Sequence, residues 1–212
     1  MDFYFGRLSG NSTRSAFALC EAGVPYTPHP VGTPHGENRE AAYLALNPMG
    51  KVPALVDGDV RLWESNAINW YVAEKYPETR LLPSSLAGRA SVQRWLMFQA
   101  GHVSPPSITI FRETNQRVRA FWRTDSDPKA VEAAYMELGR YLLVLEQALT
   151  GREWLEGDFS LADIAYAPHF AALAEGDGGF HFATTPNVRA WLERMWARPA
   201  WKKATEMAFS GG

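Results

Sequence analysis

The residues best suited to chemistry lie in the first third of the chain. Glu64 and Ser65 precede a segment with apolar residues at helical spacing, so Ser65 is predicted to be the N-cap of a helix. The N-terminus of a helix presents unpaired N–H groups and partial positive charge, which suits a carboxylate. Glu64 beside it can hold an amine. These two residues together predict a site for the head of an α-amino acid.

A second binding element is predicted at Val52-Pro53. Proline lacks an N–H and belongs at the first residue of a strand or at a bend, and X-Pro is the only peptide bond for which the cis form is cheap. A cis bond would turn the N–H and C=O of Val52 outward, where they can pair with an extended peptide. The predicted ligand therefore joins an amino-acid head to a peptide body.

A β-hairpin and the helix after it must hold these residues. Turn signals at residues 47–50 precede a short apolar run at 52–56, and Asp57-Gly58 is a favoured two-residue hairpin turn. The remaining elements predicted for this part of the chain are strands at 3–5 and 26–31 and helices at 13–22, 39–46 and 65–76. The resulting order, βαβαββα, is the thioredoxin-like arrangement.

The motifs of this segment resemble those of a known family. NPMGKVPAL at residues 47–55, DGD at 57–59 and WES at 63–65, in this order, are similar to the glutathione-binding half of the thioredoxin-fold domain of glutathione S-transferases. The resemblance implies glutathione as co-substrate, with Val52 pairing to its cysteinyl unit. It also implies that Lys51 and the position of Asn38 bind the glycyl end, and that Glu64 and Ser65 bind the γ-glutamyl head. Pro53 belongs with Val52 at the cysteinyl unit.

The resemblance also implies where the thiol is activated. Residues 9–14, SGNSTR, are similar to the loop of serine-type transferases of the phi, theta and related bacterial kinds, in which a serine five residues before the helix arginine activates the thiol. Counting back from Arg14 gives Ser9 as the catalytic residue. Ser12 is the alternative, although it is more simply the N-cap of the first helix, and Asn11 is a second hydrogen-bond donor to sulfur.

After residue 78 the strand signals nearly vanish, and the sequence predicts a linker at 79–86 and an all-α helical bundle at 87–212. Pro105-Pro106 is expected to bend or interrupt a helix, which resumes over residues 108–122. A capping box is predicted at Ser160 and Asp163, and a flexible turn at 176–179. The electrophile would contact the bundle near Gln99 and His102, and the arginines 112, 117, 119 and 123 are predicted to form a solvated helix face.

The composition excludes several other classes of protein. The chain has 212 residues, 46% of them hydrophobic, and a formal net charge of −2 with both signs scattered, which gives no electrostatic footprint for nucleic acid or an anionic membrane. The N-terminal segment has no signal-peptide pattern, so a cytoplasmic location is expected. One cysteine, Cys20, excludes an internal disulfide, and the five histidines show no ligand spacing, so no metal is predicted.

Three functions remain open at this point. The leading hypothesis is a homodimeric enzyme of detoxification that adds glutathione to a small hydrophobic electrophile, as the resemblance implies. The second is a glutathione-dependent disulfide reductase or peroxidase that uses the same site. The third is a non-catalytic binding module that retains the fold.

Overall fold

The structure is a computed structural model that describes residues 1–115, 125–174 and 180–209. The chain forms two compact units. The first comprises Met1–Ser84 together with the C-terminal segment that begins at Ala197, and the second comprises Ser85–Trp196. This division differs from the predicted assignment of residues 87–212 to the helical domain, because the last helix groups with the first unit.

The first unit contains a four-stranded mixed sheet. Its strands are β1 (Asp2–Phe5), β2 (Thr27–Pro30), β3 (Ala54–Asp57) and β4 (Val60–Trp63), and its first three helices are α1 (Gly10–Ala22), α2 (Ala41–Leu44) and α3 (Ser65–Lys75). The strand order is β2-β1-β3-β4. The pair β1/β2 is parallel, whereas β1/β3 and β3/β4 are antiparallel. The predicted thioredoxin-like order βαβαββα is confirmed.

Apolar side chains cover both faces of this sheet. The fully buried group on one side includes Phe3 of β1, Phe17 of α1, Leu55 of β3 and Ile68 of α3. A second cluster consists of Val31, Tyr43 and Ala54, with Tyr4, Leu46 and Val52 packed against it. Burial alternates along β1: Phe3 and Phe5 are buried, whereas Asp2 and Tyr4 are partly exposed. One face of this strand is therefore covered more completely than the other.

Two element boundaries differ from the predicted ones. Helix α1 begins at Gly10 and not at residue 13, because Ser9 already supplies the acceptors for the first helical N–H groups. In the hairpin, Asp57 pairs with Val60, so the two turn residues are Gly58 and Asp59 and not Asp57-Gly58. Gly58 has φ = +60°, a conformation that glycine adopts without strain.

The second unit is helical among its described residues. Its helices are α4 (Leu86–Phe98), α5 (Ser104–Thr114), α6 (Pro128–Ala148), α7 (Leu161–Ile164), α8 (Ala167–Ala174), α9 (Phe180–Ala183) and α10 (Pro186–Trp196). Asp127 caps α6, and Pro128 lies in its first turn. The end of the predicted helix at 108–122, the arginines 117, 119 and 123, and the predicted turn at 176–179 lie outside the described residues.

The sequence predicted that Pro105 and Pro106 bend or interrupt a helix, but both residues lie within α5. A π-helical turn, Gln99–Val103, joins α4 to α5, and both prolines lie in the first turn of α5. Because the N–H groups of a first turn have no intrahelical partner, proline is tolerated there. The irregularity therefore falls just before Pro105-Pro106.

The predicted capping box at the start of α7 is confirmed. Asp163 is fully buried, and its carboxylate accepts hydrogen bonds from the N–H groups of Leu155 and Ser160 at 3.0 and 2.9 Å. Trp191 Nε1 donates to the same carboxylate at 2.9 Å, and Ser160 Oγ lies 3.3 Å from it. Burial raises the pKa of Asp163 to about 6, against the lowering effect of these donors.

The last helix, α11 (Pro199–Phe209), packs on α1 within the first unit. Trp201 meets Phe17 edge to face, with ring centroids 5.4 Å apart. Arg198 makes two hydrogen bonds to the carboxylate of Glu21, at 2.5 and 2.8 Å. Among the described residues, no helix is long and apolar enough to cross a membrane.

Candidate functional site

Ser9 caps the N-terminus of α1. Its Oγ accepts a hydrogen bond from the N–H of Ser12 at 3.3 Å, and its carbonyl accepts one from the N–H of Thr13 at 2.9 Å. The prediction that Ser12 is the N-cap is therefore wrong, since the helix starts three residues earlier. Ser9 is partly exposed, and its hydroxyl proton remains available to a ligand at the positive end of the helix.

Ser12 lies in a different environment. It is 1% exposed, and its Oγ accepts a hydrogen bond from the N–H of Gly6 at 3.1 Å. This bond ties the end of β1 to the first turn of α1. Ser12 thus satisfies a buried main-chain donor and presents almost no surface to a ligand.

Arg14 links this loop to the start of α3. The side chain is 3% exposed, and its Nη1 donates to Asn11 Oδ1 at 3.0 Å and to Ser65 Oγ at 2.8 Å. From the sequence, Arg14 served only to locate Ser9. The signal for a role of its own is a lone arginine in the predicted helix at 13–22; the structure buries residues 12–19 of this segment, and a buried charge needs polar partners.

The start of α3 differs from its prediction in one respect. The N-cap is Glu64, and Ser65 is the first helical residue. Glu64 is exposed and has φ = +70°, a strained conformation for a residue other than glycine, of the kind that concentrates at functional sites. Among the described residues, no group accepts a hydrogen bond from the N–H of Ser65 or Ala67, so both donors remain open to an anion.

At the start of the hairpin, the Val52-Pro53 peptide bond is cis, as predicted. No hydrogen bond joins the N–H or C=O of Val52 to another described residue. The preceding carbonyl, that of Lys51, accepts hydrogen bonds from Tyr43 Oη at 2.7 Å and from Asn47 Nδ2 at 2.6 Å. Burial raises the pKa of Tyr43 to about 12, so its phenol keeps the proton that it donates.

Asn38 and the turn at residues 47–50 support Lys51, whose side chain is exposed. Asn38 Nδ2 donates to the carbonyl of Gly50 at 2.7 Å. Gly50 has φ = +58°, and a Cβ there would lie 2.9 Å from the carbonyl oxygen of Asn38, so only glycine fits. Asn38 Oδ1 is buried without a hydrogen-bond partner among the described residues.

A close contact brings Val52 next to the β1–α1 loop. A Cβ on Gly6 would lie 2.6 Å from Val52 Cγ2, so the main chain of Gly6 directly contacts the Val52 side chain. The N–H of Gly6 also donates the hydrogen bond that Ser12 Oγ accepts. Through Gly6 and Arg14, the structure brings together the first loop, the hairpin and the start of α3.

The two residues predicted to contact an electrophile belong to the second unit. Gln99 is 1% exposed, and its Nε2 lies 3.1 Å from His169 Nδ1. His102 is exposed, with its ring centroid 5.5 Å from those of Phe98 and Tyr141. The Gln99 amide is therefore engaged inside the unit, whereas the His102 ring is accessible.

Cys20 is unsuited to be a nucleophile. It is partly buried, and desolvation raises the pKa of its thiol, although Tyr26 Oη at 3.6 Å acts in the opposite direction. No group of three or more His, Cys, Asp or Glu side chains that could hold a metal ion occurs in the part of the chain that the structure describes.

Comparison with known proteins agrees with this geometry. Residues 8–75 match the model of the glutathione S-transferase N-terminal domain, and residues 108–199 match that of the C-terminal domain. Glutathione S-transferase F10 of Arabidopsis thaliana is 34% identical over 205 residues, which cover 95% of this chain and 94% of that protein.

Two solved structures are similar over most of their length. Glutathione transferase F2 from Populus trichocarpa has a TM-score of 0.92 at 30% identity, with 99% of each chain covered. A glutathione transferase from Burkholderia graminis, solved with two glutathione molecules bound per subunit, has a TM-score of 0.86 at 31% identity, with 99% of this chain and 90% of that one covered. The chain therefore belongs to the glutathione S-transferase family.

Proposed function

We propose that this protein is a glutathione transferase that activates the thiol of glutathione for attack on a small hydrophobic electrophile. The observation that carries the proposal is the contrast between the two serines of the first loop. Ser9 is partly exposed at the N-terminus of α1 with a proton to donate, whereas Ser12 is 1% exposed and holds the N–H of Gly6. Of these two hydroxyls that of Ser9 is the accessible one, which supports Ser9 as the residue that contacts the thiol.

Glutathione fits the groups that surround this loop. The unpaired N–H and C=O of Val52 suit the main chain of the cysteinyl unit beside Pro53. The open N–H groups of α3, with Ser65 and the exposed carboxylate of Glu64, suit the γ-glutamyl head. Lys51 offers a positive charge to the glycyl carboxylate, and Asn38 supports it through the carbonyl of Gly50.

Thiol activation follows from the charge that develops on sulfur. A free thiol has a pKa of about 8.5, and only the thiolate is a competent nucleophile. The hydroxyl of Ser9, the N–H groups of the first turn of α1 and the amide of Asn11 are donors that stabilise the thiolate and lower this pKa. The reaction then forms a bond from sulfur to the electrophilic carbon, which loses its leaving group or opens its ring.

The electrophile is proposed to contact the accessible ring of His102 in the second unit. Gln99 would act more indirectly, because its amide is engaged with His169. The rings of Phe98 and Tyr141 lie beside His102, so the contacts to a hydrophobic electrophile there would be mainly apolar. Variants at His102 should therefore change the KM for the electrophile and leave glutathione affinity unchanged.

The test is a panel of glutathione-dependent reactions with aryl halides, epoxides, hydroperoxides and a mixed disulfide, preceded by calorimetric titration with glutathione. The expected result is glutathione binding and turnover of the first two substrate groups. Turnover of only the mixed disulfide or only the hydroperoxides would instead identify a glutathione-dependent disulfide reductase or peroxidase. Absence of glutathione binding by the folded protein would leave a non-catalytic member of the fold.

We also propose that the protein forms a homodimer. Each unit exposes large apolar side chains among its described residues: Met49 and Trp63 in the first, Leu86 and Met97 in the second. Single exposed apolar side chains are common on protein surfaces, so the proposal rests mainly on the family to which the chain belongs. Light scattering at micromolar concentration should give twice the chain mass of 23.7 kDa. A monomeric mass would contradict the proposal.

A further inference from the structure

One buried arginine contacts two regions to which the proposed function assigns the thiol and the γ-glutamyl head of glutathione. Arg14 Nη1 lies 3.0 Å from Asn11 Oδ1, one turn earlier on α1, and 2.8 Å from Ser65 Oγ, the first residue of α3. The side chain is 3% exposed. A single nitrogen thus joins two polar groups that are 54 residues apart in the sequence.

The contact determines the orientation of the Asn11 amide. A guanidinium group has donors and no acceptor, so the atom that faces it must be the carbonyl oxygen of the amide. The NH2 group of Asn11 therefore points away from Arg14. Because Asn11 is exposed and lies two residues after Ser9, this NH2 group is presented beside the proposed thiol site.

The same reasoning applies to Ser65. Its Oγ accepts from Arg14, so its own proton must be donated elsewhere, and no acceptor for it occurs among the described residues. The positive charge behind the hydroxyl polarises it and makes it a stronger donor. The hydroxyl of Ser65 can therefore donate to a ligand at the N-terminus of α3, where the open N–H groups also suit a carboxylate.

Further contacts keep the two helix ends together. Ser15 Oγ donates to the carbonyl of Ser65 at 3.3 Å, and Asn69 Nδ2 lies 3.5 Å from the carbonyl of Arg14. These bonds join α1 to α3, with the guanidinium group next to both Asn11 and Ser65. Its charge lies in a region shielded from water, where a ligand carboxylate or thiolate feels it more strongly.

We propose that Arg14 is a positioning residue that orients donors at two parts of the glutathione site, Asn11 for the thiolate of the central cysteinyl unit and Ser65 for the γ-glutamyl carboxylate. The inference rests on the proposed function. It adds that one side chain couples thiol activation to recognition of the head group, so both properties should change together when Arg14 is replaced.

The primary test compares Arg14→Met with Arg198→Met, which removes another arginine of the first unit from its bonds to Glu21. Two readouts separate the two parts of the site. The ultraviolet absorbance of bound glutathione against pH gives the thiol pKa, and the Kd of S-methylglutathione, which has no free thiol, reports on the head group. In Arg14→Met the thiol pKa should rise by about one unit and the Kd should increase about tenfold. Arg198→Met should leave both unchanged.

A second variant avoids the risk that Arg14→Met does not fold. Asn11→Asp keeps an oxygen facing Arg14 and replaces the NH2 group by a second oxygen. The thiol pKa should therefore rise, while the Kd of S-methylglutathione should stay within about twofold, because this ligand has no thiolate for the Asn11 amide to stabilise. A surface change of this kind also costs little stability. An unchanged thiol pKa in Asn11→Asp overturns the role assigned to Asn11.

The outcomes distinguish this inference from the proposed function. If the unaltered protein binds no glutathione, the proposed function itself is wrong. If it binds glutathione but a folded Arg14→Met has the same thiol pKa and the same Kd, the role of Arg14 is wrong and the proposed function stands. A change in only one readout shows that Arg14 serves only one part.

Discussion

The Oγ of Ser9 accepts the N–H of Ser12 at 3.3 Å, while the Oγ of Ser12 accepts the N–H of Gly6 and not any group of Ser9. The two hydroxyls are therefore not interchangeable. That of Ser9 lies at the surface of the first turn, whereas that of Ser12 lies inside, at the end of β1.

Replacing Ser9 should affect chemistry more than stability. Ser9→Gly removes the hydroxyl but keeps a residue that is tolerated at an N-cap, at a cost of a few tenths of a kcal/mol. Loss of one preorganised donor typically lowers turnover about a hundredfold, and the pKa of bound glutathione should rise. Steady-state kinetics and thiolate absorbance measure the two effects. Ser9→Thr retains the hydroxyl and serves as the control, and its turnover should stay well above that of Ser9→Gly.

Replacing Ser12 should affect stability first. Ser12→Ala leaves the buried N–H of Gly6 without its acceptor, which costs about 1–3 kcal/mol. Denaturant unfolding measures this loss, and turnover per folded molecule should change less than in Ser9→Gly. If the thiol pKa moves in Ser12→Ala and not in Ser9→Gly, the catalytic role belongs to Ser12.

Asp163→Ala should destabilise the helical unit without altering the chemistry of the folded fraction. The change leaves three buried donors, on Leu155, Ser160 and Trp191, without their acceptor, and each typically costs about 1–3 kcal/mol. Thermal unfolding should show a large fall in Tm. An unchanged Tm with lost turnover would mean that Asp163 is functional and not structural.

The same carboxylate should make stability depend on pH. Because burial raises the pKa of Asp163 from 3.8 to about 6, the folded chain holds a proton near pH 5 that the unfolded chain has lost. The stabilisation is present below about pH 4 and declines as the pH rises to about 6, by up to about 3 kcal/mol. Urea unfolding at several pH values measures the slope, and Asp163→Asn should flatten it. If the free energy of unfolding depends on pH equally in the unaltered protein and in Asp163→Asn, Asp163 is not the group responsible.

Local interactions explain what could be predicted from the sequence. The hairpin, the cis peptide bond at Pro53 and the capping box of Ser160 and Asp163 depend on residues within a few positions of one another, and all three were predicted. The errors at the starts of α1 and α3 were small, because Ser, Asn and Glu each occur near a helix start and only the main-chain conformation shows where the helix begins.

Contacts between residues far apart in the sequence were decided only by the tertiary structure. Arg14 meets Ser65 across 51 positions, Gly6 touches Val52, and α11 returns to pack on α1. Residue types and spacing do not specify these distances, because many chain paths satisfy the same local pattern. By itself, the sequence determined that this protein has a thioredoxin-like glutathione-binding domain. The tertiary structure decided which serine hydroxyl is accessible and which arginine is buried against Ser65, since both depend on how distant parts of the chain pack.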